Sequence, residues 1–197
     1  MIIAITALVS IRAFSNHELF DKLKFNAYSI KHSKEGYRFL SYGLLHADWM
    51  HLLINMFVLH SFGKIVMIFF DFHFEAKSFL YFLCLYVGGI TLSTIASYIK
   101  HKENYYYNAV GASGAVSAVL FSSIILYPKG EIFLMFIPIP ISSPIFGLLY
   151  LAYSFWMSKK ANDNIGHDAH FWGAVFGIIF TIAIRPEFFT NFIDNLF

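Results

Sequence analysis

The chain has 197 residues, of which 58% are apolar by the AVILMFWYC count, 20% aromatic and 13% charged, where an ordinary soluble domain carries about 25% charged residues. The 14 basic and 12 acidic side chains are too few to cover a water-facing surface, and 24 Phe with 12 Tyr exclude a disordered chain. A net charge of +2 spread along the sequence offers no basic face for phosphates, so no nucleic-acid partner is expected, and the single cysteine, Cys84, excludes an internal disulfide.

Six windows contain no Asp, Glu, Lys or Arg: 1–11, 49–63, 78–99, 104–128, 132–158 and 169–184. A bilayer core of about 30 Å takes roughly 20 helical residues. The first window extends through Arg12 to Phe14, its arginine reaching back to the interface. No charged segment precedes it and no small-residue cleavage site follows, so it reads as a span rather than a signal peptide. The second continues past Lys64, and the polar start of the fourth is trimmed. In the fifth, Pro138, Pro140 and Pro144 leave only the later part as regular helix. The sixth is short and fits with little tilt or a locally thin bilayer. The predicted spans are therefore 2–14, 49–70, 78–99, 109–127, 145–157 and 169–184. The longest connection, 15–48, mixes charges with aromatics such as Phe25, Tyr37 and Phe39 and reads as an ordered or interfacial segment. The remaining connections, 129–144 among them, are expected as loops. The fold class is all-α, one polytopic membrane domain over residues 1–197 with six transmembrane helices.

Six crossings put the N-terminal ends of spans two, four and six at the same membrane face. The polar residues inside apolar sequence fall at those ends: His51 and Asn55, Ser113, and His170. A serine in a membrane helix ordinarily bonds back to its own helix. Ser113, however, stands in Gly111-Ala112-Ser113-Gly114, where small neighbours clear space around the hydroxyl and leave N–H groups free for an oxyanion. A histidine near a helix end can simply face interfacial water, but an intramembrane histidine is by default a functional candidate. Gly173 and Gly177 share a helix face with His170, and Gly111, Gly114 and Ala118 form a matching small stripe on span four. Docking these stripes brings Ser113 and His170 together. His51 and Asn55, four apart, share one face of span two. With Ala109 as the helix start, Ser113 lies about 6 Å inside it.

The charge-free windows hold no carboxylate, so neither an aspartyl dyad nor a Ser-His-Asp triad can form at depth, and no His-Glu-x-x-His zinc motif is present. A Ser-His dyad remains. In it His170 takes the hydroxyl proton of Ser113 and returns it to the leaving amine, while Asn55, His51 and the Ser113 backbone N–H donate to the oxyanion. No cofactor and no metal are expected.

These motifs resemble the rhomboid intramembrane serine proteases of the minimal six-span bacterial type. The likeness rests on Gly111-Ala112-Ser113-Gly114, on Ala169-His170-Phe171-Trp172-Gly173 with Gly177, and on His51-Leu52-Leu53-Ile54-Asn55, in order within residues 3–184. Tyr37-Arg38 is similar to the family's first-loop Trp-Arg pair, and His46 matches a further family position. The resemblance implies a catalytic dyad of Ser113 and His170 at the bottom of a water-filled cavity, and span five as a substrate gate. It also implies single-span membrane proteins as substrates and the bacterial inner membrane as location. Many rhomboids carry, four residues after the serine, an aromatic that packs on the catalytic histidine; here that residue is Ser117, so His170 needs another support. The family's topology implies a cytoplasmic N-terminus. The Lys and Arg count points the other way: Arg12, Lys22, Lys24, Lys31, Lys34, Arg38, Lys100, Lys102, Lys159 and Lys160 face Lys64, Lys77, Lys129 and Arg185, ten against four.

Two alternatives stand beside this reading. One is a polytopic transporter or metal-ion channel using His46, Asp48, His51, His167, Asp168 and His170; no charged residue midway through a span and no inverted repeat favour it. The other is an inactive rhomboid-like protein that binds membrane helices without cutting them, against which the intact Ser113 and His170 speak.

Overall fold

A computed structural model describes residues 1–134, 137–160 and 166–196. Helix α1 (Ile2–Phe14) follows the first expected span. The long connection after it is ordered. Helix α2 (His17–Leu23) is capped by Asn16, whose side chain accepts from Leu19 N at 2.9 Å, and leads into strand β1 (Phe25–Asn26). Asn26 caps α3 (Ala27–His32) by accepting from Ser29 N at 2.7 Å, and a short α4 (Arg38–Ser41) follows. Arg38 is the cross-brace of this segment. Buried, it donates from Nη1 to the Asp21 and Lys24 carbonyls at 2.8 and 2.7 Å and pairs with Glu35 through Nε.

Asp48 caps α5 (Trp49–Phe74), accepting from His51 N at 2.8 Å. The helix runs past the expected end at residue 70. After a tight turn come α6 (Ser78–Ser93) and α7 (Ile95–His101), in place of one continuous span over 78–99. The break falls where Thr91, Ser93 and Thr94 hydroxyls all bond back to carbonyls of their own chain, which competes with the helical ladder. Strand β2 (Asn108–Ala109) then pairs antiparallel with β1, Phe25 opposite Ala109 and Asn26 opposite Asn108. Helix α8 (Ser113–Leu126) starts four residues later than the predicted 109, because residues 108–109 are extended and Gly111 has φ +121°, which no helix accommodates.

The expected loop at 129–144 holds a hairpin instead, β3 (Glu131–Leu134) against β4 (Ile137–Ser142). Alternating Ile and Pro keeps β4 extended, and a two-stranded sheet is all edge, where proline is tolerated. Helix α9 (Ser143–Lys160) starts earlier and ends later than 145–157, with Pro144 in its first turn. Then come α10 (His167–Ile184) and α11 (Glu187–Asp194).

Helices thus occupy all six expected windows. By length and apolarity alone, two helical runs suffice to cross a membrane, 49–101, which contains α5 to α7, and α10; α1 and α8 are apolar but shorter. At the centre stands α8, buried at every position from 114 to 126 and packed against α5, α6 and α10. Apolarity all round suits a helix enclosed by others. The periphery is apolar too. Leu8, Leu53, Phe57, Ile68, Leu80, Leu148, Leu149 and Ile179 all face outward and exposed, far more than a water-soluble surface carries in contiguous patches.

Candidate active site

The approach to Ser113 is held by the first connection. Gly111 N donates to the Tyr42 carbonyl at 3.1 Å, one step beyond the β1–β2 pairing. Asn26 Nδ2 reinforces that pairing through the Tyr105 carbonyl and Asn108 Oδ1, at 2.9 and 3.0 Å. Phe25, fully buried, packs edge-on against Phe39, Tyr42 and Tyr107. Burial raises the Tyr42 and Tyr107 hydroxyl pKa values above the ordinary range, so both stay neutral donors.

Ser113 is the first residue of α8 rather than the fifth, so the expected 6 Å depth within the helix is corrected to none. This position has a chemical consequence. The first bond of the helix runs from Val116 N to the Ala112 carbonyl at 2.9 Å, so helical geometry supplies no i−4 acceptor for the Ser113, Gly114 and Ala115 N–H groups. They form the positive end of the helix dipole, a natural seat for a developing anion.

His51 stands beside them. A Cβ on Gly111 would lie 2.7 Å from His51 Cε1, 2.8 Å from its Nε2 and 3.8 Å from Ser113 Oγ, so ring, glycine and hydroxyl share one small space. Ala47 N donates to His51 Nδ1 at 3.3 Å. An accepting Nδ1 places the proton of the neutral ring on Nε2, the atom aimed at Gly111. Asn55, buried one turn later, donates from Nδ2 to the His51 carbonyl at 2.8 Å. His46, fully buried, meets the His51 ring edge-on at 4.8 Å. Ser10 Oγ donates to the Leu44 carbonyl and lies 2.9 Å from His46 Nδ1, so Nδ1 is the donor. Burial foremost, and then the neighbouring His51, pushes His46 down to about 3, against the weaker pull of Asp48.

His170 reaches the site because α10 lies directly on α8. A Cβ at Gly173 would overlap the Gly114 carbonyl, and one at Gly177 would overlap the Ala118 carbonyl. The two stripes of small residues dock as their spacing suggests, and the half-buried His170 stands one turn before the first contact. Among the described residues no hydrogen bond joins His170 to Ser113 Oγ, a bond that in enzymes without substrate is often long. The His170 ring lies 6.1 Å from His167 and 6.4 Å from Tyr150, between centroids. Tyr37 donates to the Lys22 carbonyl at 3.0 Å; it and Arg38 organise the first connection, and among the described residues neither is hydrogen-bonded to Ser113.

The residues of the metal-site alternative do not converge. Asp48 caps α5 and Asp168 lies 3.8 Å from Lys100. Among the described residues no three His, Cys, Asp or Glu side chains are grouped to hold a metal ion.

A family model for the rhomboid domain matches residues 33–187, about four-fifths of the chain and all of α4 to α10. The chain belongs to the rhomboid family. It is 26% identical over 157 residues to RHOMBOID-like protein 12, mitochondrial, of Arabidopsis thaliana, covering 71% of this chain and 44% of that protein. To the presenilin-associated rhomboid-like protein, mitochondrial, of Bos taurus and of Homo sapiens it is 27% identical over 143 residues, 68% of this chain and 34% of each relative. The chain thus spans less than half the length of these relatives. Rhomboid membership and the apolar outer surface make this a membrane protein. These relatives are mitochondrial by name and lend no support to the bacterial inner membrane expected from the minimal plan.

Proposed function

We propose that this rhomboid is an intramembrane serine endopeptidase with six membrane-spanning helices, α1, α5, α6 with α7, α8, α9 and α10, forming one domain. The observation that supports the reading is the contact of Gly173 with Gly114, which packs the turn of α10 after His170 against the start of α8, where Ser113 and His51 share the space at Gly111. Ser113 Oγ attacks the substrate carbonyl as His170 takes its proton. The tetrahedral oxyanion is met by the Ser113 N–H, by His51 Nε2–H and by Asn55, and His170 then protonates the departing amine. Water, deprotonated by His170, hydrolyses the acyl ester and frees Ser113.

The 14 residues of α8 span about 21 Å, short of a bilayer core of about 30 Å, so the helix does not reach both surfaces, and in this reading the recessed end is the one that carries Ser113. A substrate helix must unwind to reach it. The favoured cut is therefore near the membrane face of a single-span protein, after a small residue such as Ala, with Gly or Pro loosening the helix beyond.

The test is covalent labelling of the detergent-purified protein with a fluorophosphonate, followed by mass spectrometry of products from single-span substrates. Label on Ser113 that disappears in Ser113→Ala and His170→Ala, with proteolysis surviving metal chelators, is expected. An oxyanion role for Asn55 predicts that Asn55→Ala lowers kcat and not KM alone. Undiminished labelling in His170→Ala removes it as the base, and an unlabelled protein that still retains single-span helices is a binding protein and not a protease.

A further inference from the structure

Ser117 lies one helical turn beyond Ser113, on the same face of α8. Its side chain is too short to brace a ring on α10. It is nevertheless not idle: its Oγ lies 2.7 Å from the hydroxyl of Tyr150, which belongs to α9. Tyr150 is in turn fixed from three sides. Phe146, four residues earlier, lies 5.9 Å from its ring, Phe121 of α8 lies 5.5 Å away, and the His170 ring of α10 sits at 6.4 Å with its plane tilted by 31°. The close approach of α9 that makes this possible is visible one turn earlier, where a Cβ at Gly147 would lie 3.2 Å from Ile124 and 3.4 Å from Phe121.

We propose that Tyr150 is the positioning residue for His170, its ring setting the imidazole plane and its hydroxyl anchored on Ser117. This rests on the serine-protease reading above. An aromatic contact across helices restricts rotation of the imidazole about its side-chain bonds, and a ring held at both ends restricts it more. The aromatic surface is thereby brought in from a different helix than the one that carries the serine, 33 residues farther along the chain. Since a misplaced base slows proton transfer without weakening substrate binding, the effect belongs in kcat.

The experiment compares wild type, Tyr150→Leu, Tyr150→Phe, Ser117→Ala, and Ser117→Phe combined with Tyr150→Leu, each checked for helicity and for unfolding in dodecyl sulfate. Ser113 labelling rates and kcat and KM on one single-span substrate are measured. Tyr150→Leu is expected to lose about 10- to 100-fold in kcat and in labelling rate, with KM changed less than about threefold. Tyr150→Phe and Ser117→Ala, which keep the ring, are expected to lose less. The ring supplied from α8 in the double variant is expected to restore part of the loss, a recovery that general damage to the fold does not show. Wild-type labelling that Tyr150→Leu leaves unchanged, a change confined to KM, or a Tyr150→Phe as slow as Tyr150→Leu each overturns the proposal while leaving the dyad standing. An unlabelled wild type overturns the dyad and this proposal with it.

Discussion

Adding one methyl group at Gly177 tests the α8–α10 contact without touching the chemistry. A Cβ there would lie 2.8 Å from both the carbonyl carbon and the Cα of Ala118, whereas carbon atoms in contact sit about 3.5–4.0 Å apart. The obstacle is backbone, so no side-chain rotation relieves it. Helix α10 must retreat by roughly 0.7–1.2 Å, and overpacking of this kind costs about 1–3 kcal/mol. Gly177 is seven residues past His170, about 10 Å along the axis. A retreat of α10 carries His170 with it, and a misplacement near 1 Å can cost up to about 100-fold in rate. Gly177→Ala is therefore expected to unfold at lower dodecyl sulfate in mixed micelles and to label at Ser113 about 10- to 100-fold more slowly. Gly36→Ala serves as the control, since nothing lies within 4 Å of a Cβ there. Unfolding and labelling of Gly177→Ala at wild-type levels would refute the backbone contact. Early unfolding with a wild-type labelling rate would show that the position of α10 does not set that of His170.

Acid sensitivity should trace in part to His46, which faces Ser10, His51 and Asp48. Its folded value of about 3 lies below the ordinary ~6.5 of the unfolded chain, so its contribution is whole above pH 6.5 and is lost as pH falls toward 3. At pH 5 the loss is about 2 kcal/mol; His46→Leu should flatten the fall in unfolding midpoint between pH 7.5 and 5, and a slope equal to wild type would contradict the assignment. Arg38→Ala strands the Asp21 and Lys24 carbonyls and leaves Glu35 without its partner. A loss of about 3 kcal/mol is expected, with new protease cuts within residues 15–48, and resistance like that of wild type would count against the bracing role.

The helix windows were legible because charge is costly in a membrane, so the spacing of Lys, Arg, Asp and Glu marks where helices can run. The Gly173 and Gly177 stripe was legible for a similarly local reason, since i, i+4 spacing alone puts both on one face. What escaped was set by contacts distant in sequence. The two-residue strands β1 and β2 have no periodicity to find, and they pair across more than 80 residues. The start of α8 depended on the positive φ of Gly111, which lies against the Tyr42 carbonyl and the His51 ring, both distant in sequence. His46 stood out by its place before His51, yet its bond to Ser10 of α1 could not be read from spacing. For Tyr150 the only signal was negative, a serine at a position where an aromatic was wanted.

The enclosure of α8 also bears on the order in which the chain assembles. Its neighbours α5 and α6 precede it in the sequence, but α9 and α10 follow it. While α8 exists without the helices that follow it, Ser117 still awaits Tyr150, and Ser122 awaits Thr181, whose Oγ lies 2.7 Å away once α10 is in place. The small-residue face destined for Gly173 and Gly177 is equally uncovered. The most deeply enclosed helix of the finished protein is thus a half-covered one during synthesis. Closure waits for α10, the same helix that carries His170, so in the dyad proposed above the base arrives as the core is sealed.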